Sequence, residues 1–192
     1  MLNVMACPGE VFDEIVAAPL NLANWRAPTL LVCFTGLLAV YSRMPAAASQ
    51  GGWPLAAAIL TAAATIAGSV WCAFVLWFIG RIFLNVRFSF LKTLEIAGLA
   101  GALIALGNLV TVLLIAATAN PSAQPSLALL ASDLSIHSAK GQILQLFNFF
   151  HLWSLALLAL GLSRLANVSF KEASFWVFGY WFVIPLALII AS

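Results

Sequence analysis

Hydrophobic and polar positions along the chain sort into long apolar runs separated by short polar breaks, with no period-2 alternation. Runs of that length read as helices able to cross a bilayer, which needs roughly 20 apolar residues for about 30 Å. Five such spans are predicted, over about residues 27–42, 54–80, 94–118, 143–165 and 173–190. The first is the shortest, and Trp25, Arg26 and Arg43 extend it by sitting at the interfaces. Ahead of it, Val11, Phe12, Ile15, Val16 and Leu20 recur at helical spacing, with Glu10, Asp13 and Glu14 on the other side. Pro8 suits the first turn of that short helix and Pro19 should end it. It is expected on the membrane surface or tucked against the bundle, as a structural brace. The predicted fold is all-α: one membrane domain over residues 1–192, a bundle of five transmembrane helices with a short N-terminal amphipathic helix.

Small residues subdivide the spans. In the second, Ala56, Ala57, Ala58, Ala62, Ala63, Ala64, Ala67 and Gly68 predict tight helix packing, and the bulky half from Trp71 to Phe83 predicts lipid or interface contact. In the third, Ala97, Gly101 and Ala105 recur every four residues, as do Gly98 and Ala102, giving a broad face for close helix approach. The loop Asn120 to Lys140 is rich in turn residues, and Leu127 to Leu134 predicts a short interfacial helix. Pro185 is placed to kink the last span.

Composition agrees with lipid as the main solvent. The 192 residues are 64% hydrophobic and only 7% charged, too few charges to cover a water-facing surface. The net charge of +2 is too small to imply nucleic-acid binding. The basic residues report topology instead. With the N-terminus inside, Arg26, Arg81, Arg87, Lys92, Arg164 and Lys171 fall on the inside and only Arg43 and Lys140 outside. The positive-inside rule then makes the N-terminus cytoplasmic and the C-terminus external. Residues 1–20 have no basic segment and no long apolar core, so no signal peptide is expected. The Ala- and Leu-rich, cysteine-poor composition favours the cytoplasmic membrane of a bacterium.

Candidate chemistry is sparse. Gln142, Gln145, Asn148, His151 and Ser154 follow one another at intervals of three in the fourth span. Polar groups at that depth should face protein or water. Gln145, Asn148, His151 and Ser154, with Asn108 of the third span, therefore form a candidate polar pocket. Two readings stay open: interhelical hydrogen bonding, or a path with His151 as a proton- or ligand-sensitive group. Asn108 is expected to bond the fourth span or a backbone carbonyl. On the cytoplasmic side Arg81 and Glu95 make a candidate ion pair, and Glu95 also follows Lys92 by three residues. Arg164 and Lys171 read as headgroup anchors.

Cys7, Cys33 and Cys72 are far apart and form no metal-ligand pair, so they read as small hydrophobes. Asp133 and His137 lack a further ligand, and Gly51-Gly52 lacks the context of a phosphate loop. No cofactor or metal site is predicted, and no catalytic constellation emerges. An intramembrane enzyme would need a second titratable group beside His151.

The order of features resembles the Yip-domain (Ypt/Rab-interacting protein) family, specifically its short bacterial-type members. The similar stretches are Pro8-Gly-Glu-Val-Phe-Asp-Glu-Ile15, then Arg87-Phe-Ser-Phe-Leu-Lys-Thr-Leu-Glu-Ile-Ala97. A third runs from Leu146-Phe-Asn-Phe-Phe-His-Leu-Trp153 through Gly161-Leu-Ser-Arg164 to Phe170-Lys-Glu-Ala173. Where family members often carry a proline early in the third span, this chain has Gly98 and Gly101. The resemblance implies five membrane helices with a cytoplasmic N-terminus. In eukaryotes such proteins are associated with small Ras-like GTPases, vesicle formation and organelle shape. The long cytosolic region of those members is missing here, which puts small-GTPase binding in doubt. The leading expectation is a non-enzymatic scaffold that packs against membrane lipids, partner membrane proteins or further copies of itself. The alternative is a small transporter or channel component with a polar path along the fourth span.

Overall fold

The computed structural model describes residues 7–44, 53–130 and 138–191. Asp133, His137 and Gly51-Gly52 lie outside them. Seven α-helices follow in order: α1 Pro8–Ala17, α2 Ala23–Arg43, α3 Trp53–Ile82, α4 Phe90–Thr118, α5 Ala139–Leu146, α6 Phe149–Ala166 and α7 Phe170–Ala191. A 3₁₀ turn, Leu127–Leu130, is the described part of the predicted interfacial helix. Four helices are long and apolar enough to cross a membrane: α2, α3 from Pro54, α4 and α6.

Helix α4 is the axis of the bundle. Its first half, Thr93 to Ala100, is buried without a break, and α2, α3 and α6 all pack on it. Glycine and alanine let the neighbours in. A Cβ at Gly161 of α6 would stand 2.4 Å from Ile96 Cγ2 on α4, so these helices touch where the side chain is missing. Around this contact Leu76, Ile79, Leu99, Leu103, Leu155, Leu158, Leu162 and Val177 form the buried core.

Helix α2 starts five residues before Pro28, earlier than its apolar run suggests. A proline inside a helix leaves the carbonyl four residues back without its N–H donor. That carbonyl is Asn24 O, and Gly98 of α4 lies against it. A Cβ at Gly98 would fall 2.9 Å from Asn24 O and 2.5 Å from Trp25 Cα, so the two backbones meet directly. With the extra turn, α2 has 21 residues, which at 1.5 Å each gives about 30 Å.

Helix α1 is tucked against the bundle. Pro8 opens it, Phe12 and Ile15 are buried, and Glu10, Asp13 and Glu14 stay exposed. At the same end, Phe88 folds back so that its ring occupies the space over Gly80.

Two expectations change. The predicted fourth span is not one helix. The chain breaks at Phe147–Asn148, and Asn148 Oδ1 accepts from Phe150 N (3.0 Å) and His151 N (3.3 Å) as the N-cap of α6. Asparagine favours this position because its side chain satisfies the free N–H groups of the first turn. Phe149 N also donates to Pro125 O at 3.1 Å, tying the break to the preceding loop. In α3 the roles of the two halves reverse. The small half is largely exposed, and Ala73, Val75, Leu76 and Ile79 of the bulky half are buried. The outward Trp71, Phe74, Phe78, Ile82 and Phe83 keep the expected exposure. All three cysteines are free thiols, Cys7 exposed and the other two half-buried.

Candidate functional site

Two sites lie on α4, one at each end. At its N-terminal end, Glu95 is fully buried, 0% exposed. Its partner is not Arg81. Lys92, one turn earlier on α4, places Nζ 2.8 Å from Glu95 Oε2. The i, i+3 spacing puts both groups on one face, so the local partner forms the ion pair. Glu95 Oε1 also accepts from Asn21 N (2.7 Å) and Asn24 Nδ2 (3.3 Å). Lys92 Nζ in turn donates to Ile15 O (2.8 Å) and Ala18 O (2.9 Å). These carbonyls end α1 and its exit, where a helix lacks internal donors and favours a cation. The pair therefore latches the α1–α2 link onto α4. Arg81 instead stacks over the Trp77 ring, 5.5 Å from its centroid.

Beside this latch, Arg164 Nε lies 3.3 Å from Asp13 Oδ1, with the side chains 45% and 55% exposed. The expected headgroup anchor thus holds α1 to α6. Lys171 is exposed at the start of α7.

Two cavities lie along α4 beyond the latch, the crevice from Ala97 to Asn108 and the chamber from Ile104 to Thr111. The first, about 510 Å³, is a crevice between α2, α3, α4 and α6, with Trp181 of α7 on its wall. The second, about 780 Å³, is a chamber lined by Arg43, Gln124, Gln142, Gln145, Asn148 and Phe150 among others. Ile104, Asn108 and His151 line both. At the latch end, Trp25 Nε1 donates to Ser69 Oγ at 3.2 Å, and Ser69 is part of the crevice wall.

The predicted polar pocket separates into different jobs. Asn108 Nδ2 donates to Thr35 Oγ1 (3.3 Å), so its partner is on α2 and not on α6. Ser154 Oγ donates to Ala100 O (3.1 Å) and joins α6 to α4. Asn148 is a helix cap as well as a chamber wall. Gln145 lines the chamber from α5. His151 stands edge-on to the Trp181 ring, 5.7 Å between centroids, at the junction of the two cavities.

Thr61, Thr65 and Ser69 complete the crevice and were not among the predicted site residues. Their spacing of four places them on one stripe of α3, a signal present within the alanine-rich run. Thr61 and Thr65 donate to Ala57 O and Thr61 O at 2.7 and 2.8 Å, so their hydroxyl protons are spent on their own helix. Among the described residues, no three His, Cys, Asp or Glu side chains gather as metal ligands would.

Several apolar helices around one buried axis, without a strand among the described residues, define a multi-pass helical membrane protein. Residues 2–192 match the Yip1 domain, so the chain belongs to the Yip1-domain family, as its three similar stretches imply. No curated protein and no solved structure matches it.

Proposed function

We propose that the protein is a non-enzymatic scaffold of Yip type that acts by lateral packing with membrane lipids, partner membrane proteins or further copies of itself. The observation that carries this reading is the free face of α3. Only 17% of its apolar window is buried, and Ala56, Ala63 and Ala67 are exposed. Small residues on such a face let a second helix approach closely in lipid. Buried Glu95 is already held by Lys92, and exposed Asp13 pairs with Arg164. Nucleic acid has no part in this reading, and small-GTPase binding stays outside it.

In this reading α7 makes a fifth crossing. Its 22 residues match a bilayer in length and are apolar from Ala173 onward. The N-terminus is then cytoplasmic and the C-terminus external, supported by the six-to-two distribution of basic residues. The expected location is the bacterial cytoplasmic membrane.

Cross-linking in native membranes, followed by mass determination in nanodiscs, tests the scaffold. Association should be lost when Ala56 and Ala63 are both replaced by Phe. A strictly monomeric wild type that retains neither lipid nor partner ends this reading. A second reading, a transporter or channel component, is favoured by the cavities that meet at Asn108 and His151. It expects solute flux in proteoliposomes that His151→Ala abolishes while the protein stays folded. No flux for the wild type removes it.

A further inference from the structure

We propose that the chamber and the crevice together form a site for one anionic phospholipid, its head group beside Arg43 and one acyl chain lying along α3 and α4. The inference deepens the scaffold reading and rests on its lipid-facing part.

The polarity of the two cavities is zoned. The chamber is lined by amides, with Arg43 as the one charged side chain on either wall. Arg43 makes no ion pair among the described residues. The crevice has no charge. Val32, Ala64, Gly101, Ile104, Leu155 and Leu158 supply its apolar surface. The hydroxyls of Thr61 and Thr65 are bonded back to their helix, which leaves the wall fit for hydrocarbon. A polar mouth with one cation and an apolar continuation matches an amphiphile that carries a negative head.

Depth agrees independently. Arg43 is the last residue of α2, so its guanidinium stands at the level of lipid head groups. From there the crevice runs inward past Ser69, which holds Trp25 by a hydrogen bond, to Cys72 and Gly98 near the latch. Head at the interface and tail inward is the orientation of a bilayer lipid. Entry from the side is open, because Ala64 and Gly68 on the α3 wall are exposed. Each cavity, about 510 and 780 Å³, lies in the range of sites that enclose a small organic ligand, about 300–1,000 Å³.

The test uses the full chain in nanodiscs of phosphatidylcholine mixed with phosphatidylglycerol, then native mass spectrometry after gentle release. One phosphatidylglycerol per chain is expected to remain bound. A Cβ at Gly68 meets nothing within 4 Å, so the backbone there accepts a side chain, and Gly68→Phe adds a ring at the crevice wall. It should cut retention about tenfold, the equivalent of losing one well-packed acyl contact, with the melting temperature unchanged. Arg43→Gln should keep a lipid bound but lower the preference for phosphatidylglycerol about fivefold, the weight of one cation at a lipid surface. A photoreactive group at the end of the acyl chain should label wild-type residues within 61–72 or 97–108, a readout that needs no variant. Retention unaffected by Gly68→Phe, equal retention of the two lipids, or labelling confined to other segments each overturns the site. Those results leave association through α3 standing. A monomeric chain that holds no lipid at all would sink the scaffold reading as well.

Discussion

The two ends of α4 solve opposite problems. At the latch end, a buried carboxylate and an ammonium group are enclosed, paired at 2.8 Å and further satisfied by backbone groups of the α1–α2 link. At the other end, amides and an arginine surround space. The first arrangement suits a group that must not move, because an unpaired charge in low dielectric is very costly. The second sets polar groups around a cavity that has room for something else. Stability and any binding are therefore expected to separate along one helix.

The largest effect should come from opening the latch. Lys92→Met leaves Glu95 buried without its counter-charge, a loss of about 3–5 kcal/mol. Reversible unfolding in mixed micelles measures it. Lys92→Met combined with Glu95→Leu should recover most of that loss, since apolar residues can replace a buried pair. If the double variant is no better than the single one, the pair does more than neutralise charge.

Next is the backbone contact between α2 and α4. Gly98→Ala forces a methyl group into Trp25 Cα and should cost about 1–3 kcal/mol by overpacking. Gly101→Ala provides the control, because its Cβ would sit at an ordinary 3.6 Å from Val32 Cγ2. Equal losses at the two positions would show that general helix loosening, not the Asn24–Gly98 approach, is responsible.

Ser154→Ala removes one interhelical hydrogen bond in the core and should cost about 1 kcal/mol. The half-exposed Asp13–Arg164 pair should matter less, about 0.5 kcal/mol or below for Asp13→Asn, because solvent screens it. Smallest of all is the effect expected at the cavity junction. His151→Leu should change stability by no more than about 0.5 kcal/mol. A large destabilisation there would erase the contrast between the ends and make His151 a structural residue.

Much of the bundle could be read in one dimension. Apolar run length marked the membrane helices, Pro8 and Pro19 bounded α1, and the small residues of α4 announced close packing. The errors share a cause, namely that a run of apolar residues does not record what stands beside it. Asn148 sat inside an apolar run, yet it ends one helix and caps the next because the loop at Pro125 docks there. Alanines in α3 implied tight packing, but α2 covers only one side of that half, at Pro54 and Thr61, and Ala56, Ala63, Ala64 and Ala67 stay exposed. Glu95 had two cations within reach in sequence terms, and the nearer won because α1 and its exit bring carbonyls that hold Lys92 in place.

Composition and run length by themselves determined that this chain is built for lipid and is helical, and the similarity of its ordered stretches placed it in the Yip1-domain family. Partners depended on tertiary structure. Only the packed bundle brought Asn108 to Thr35, Trp25 to Ser69 and His151 to Trp181, and left a crevice where α3 stands away from its neighbours. Those contacts join residues 30 to 73 positions apart, a separation over which local pattern carries no information about proximity.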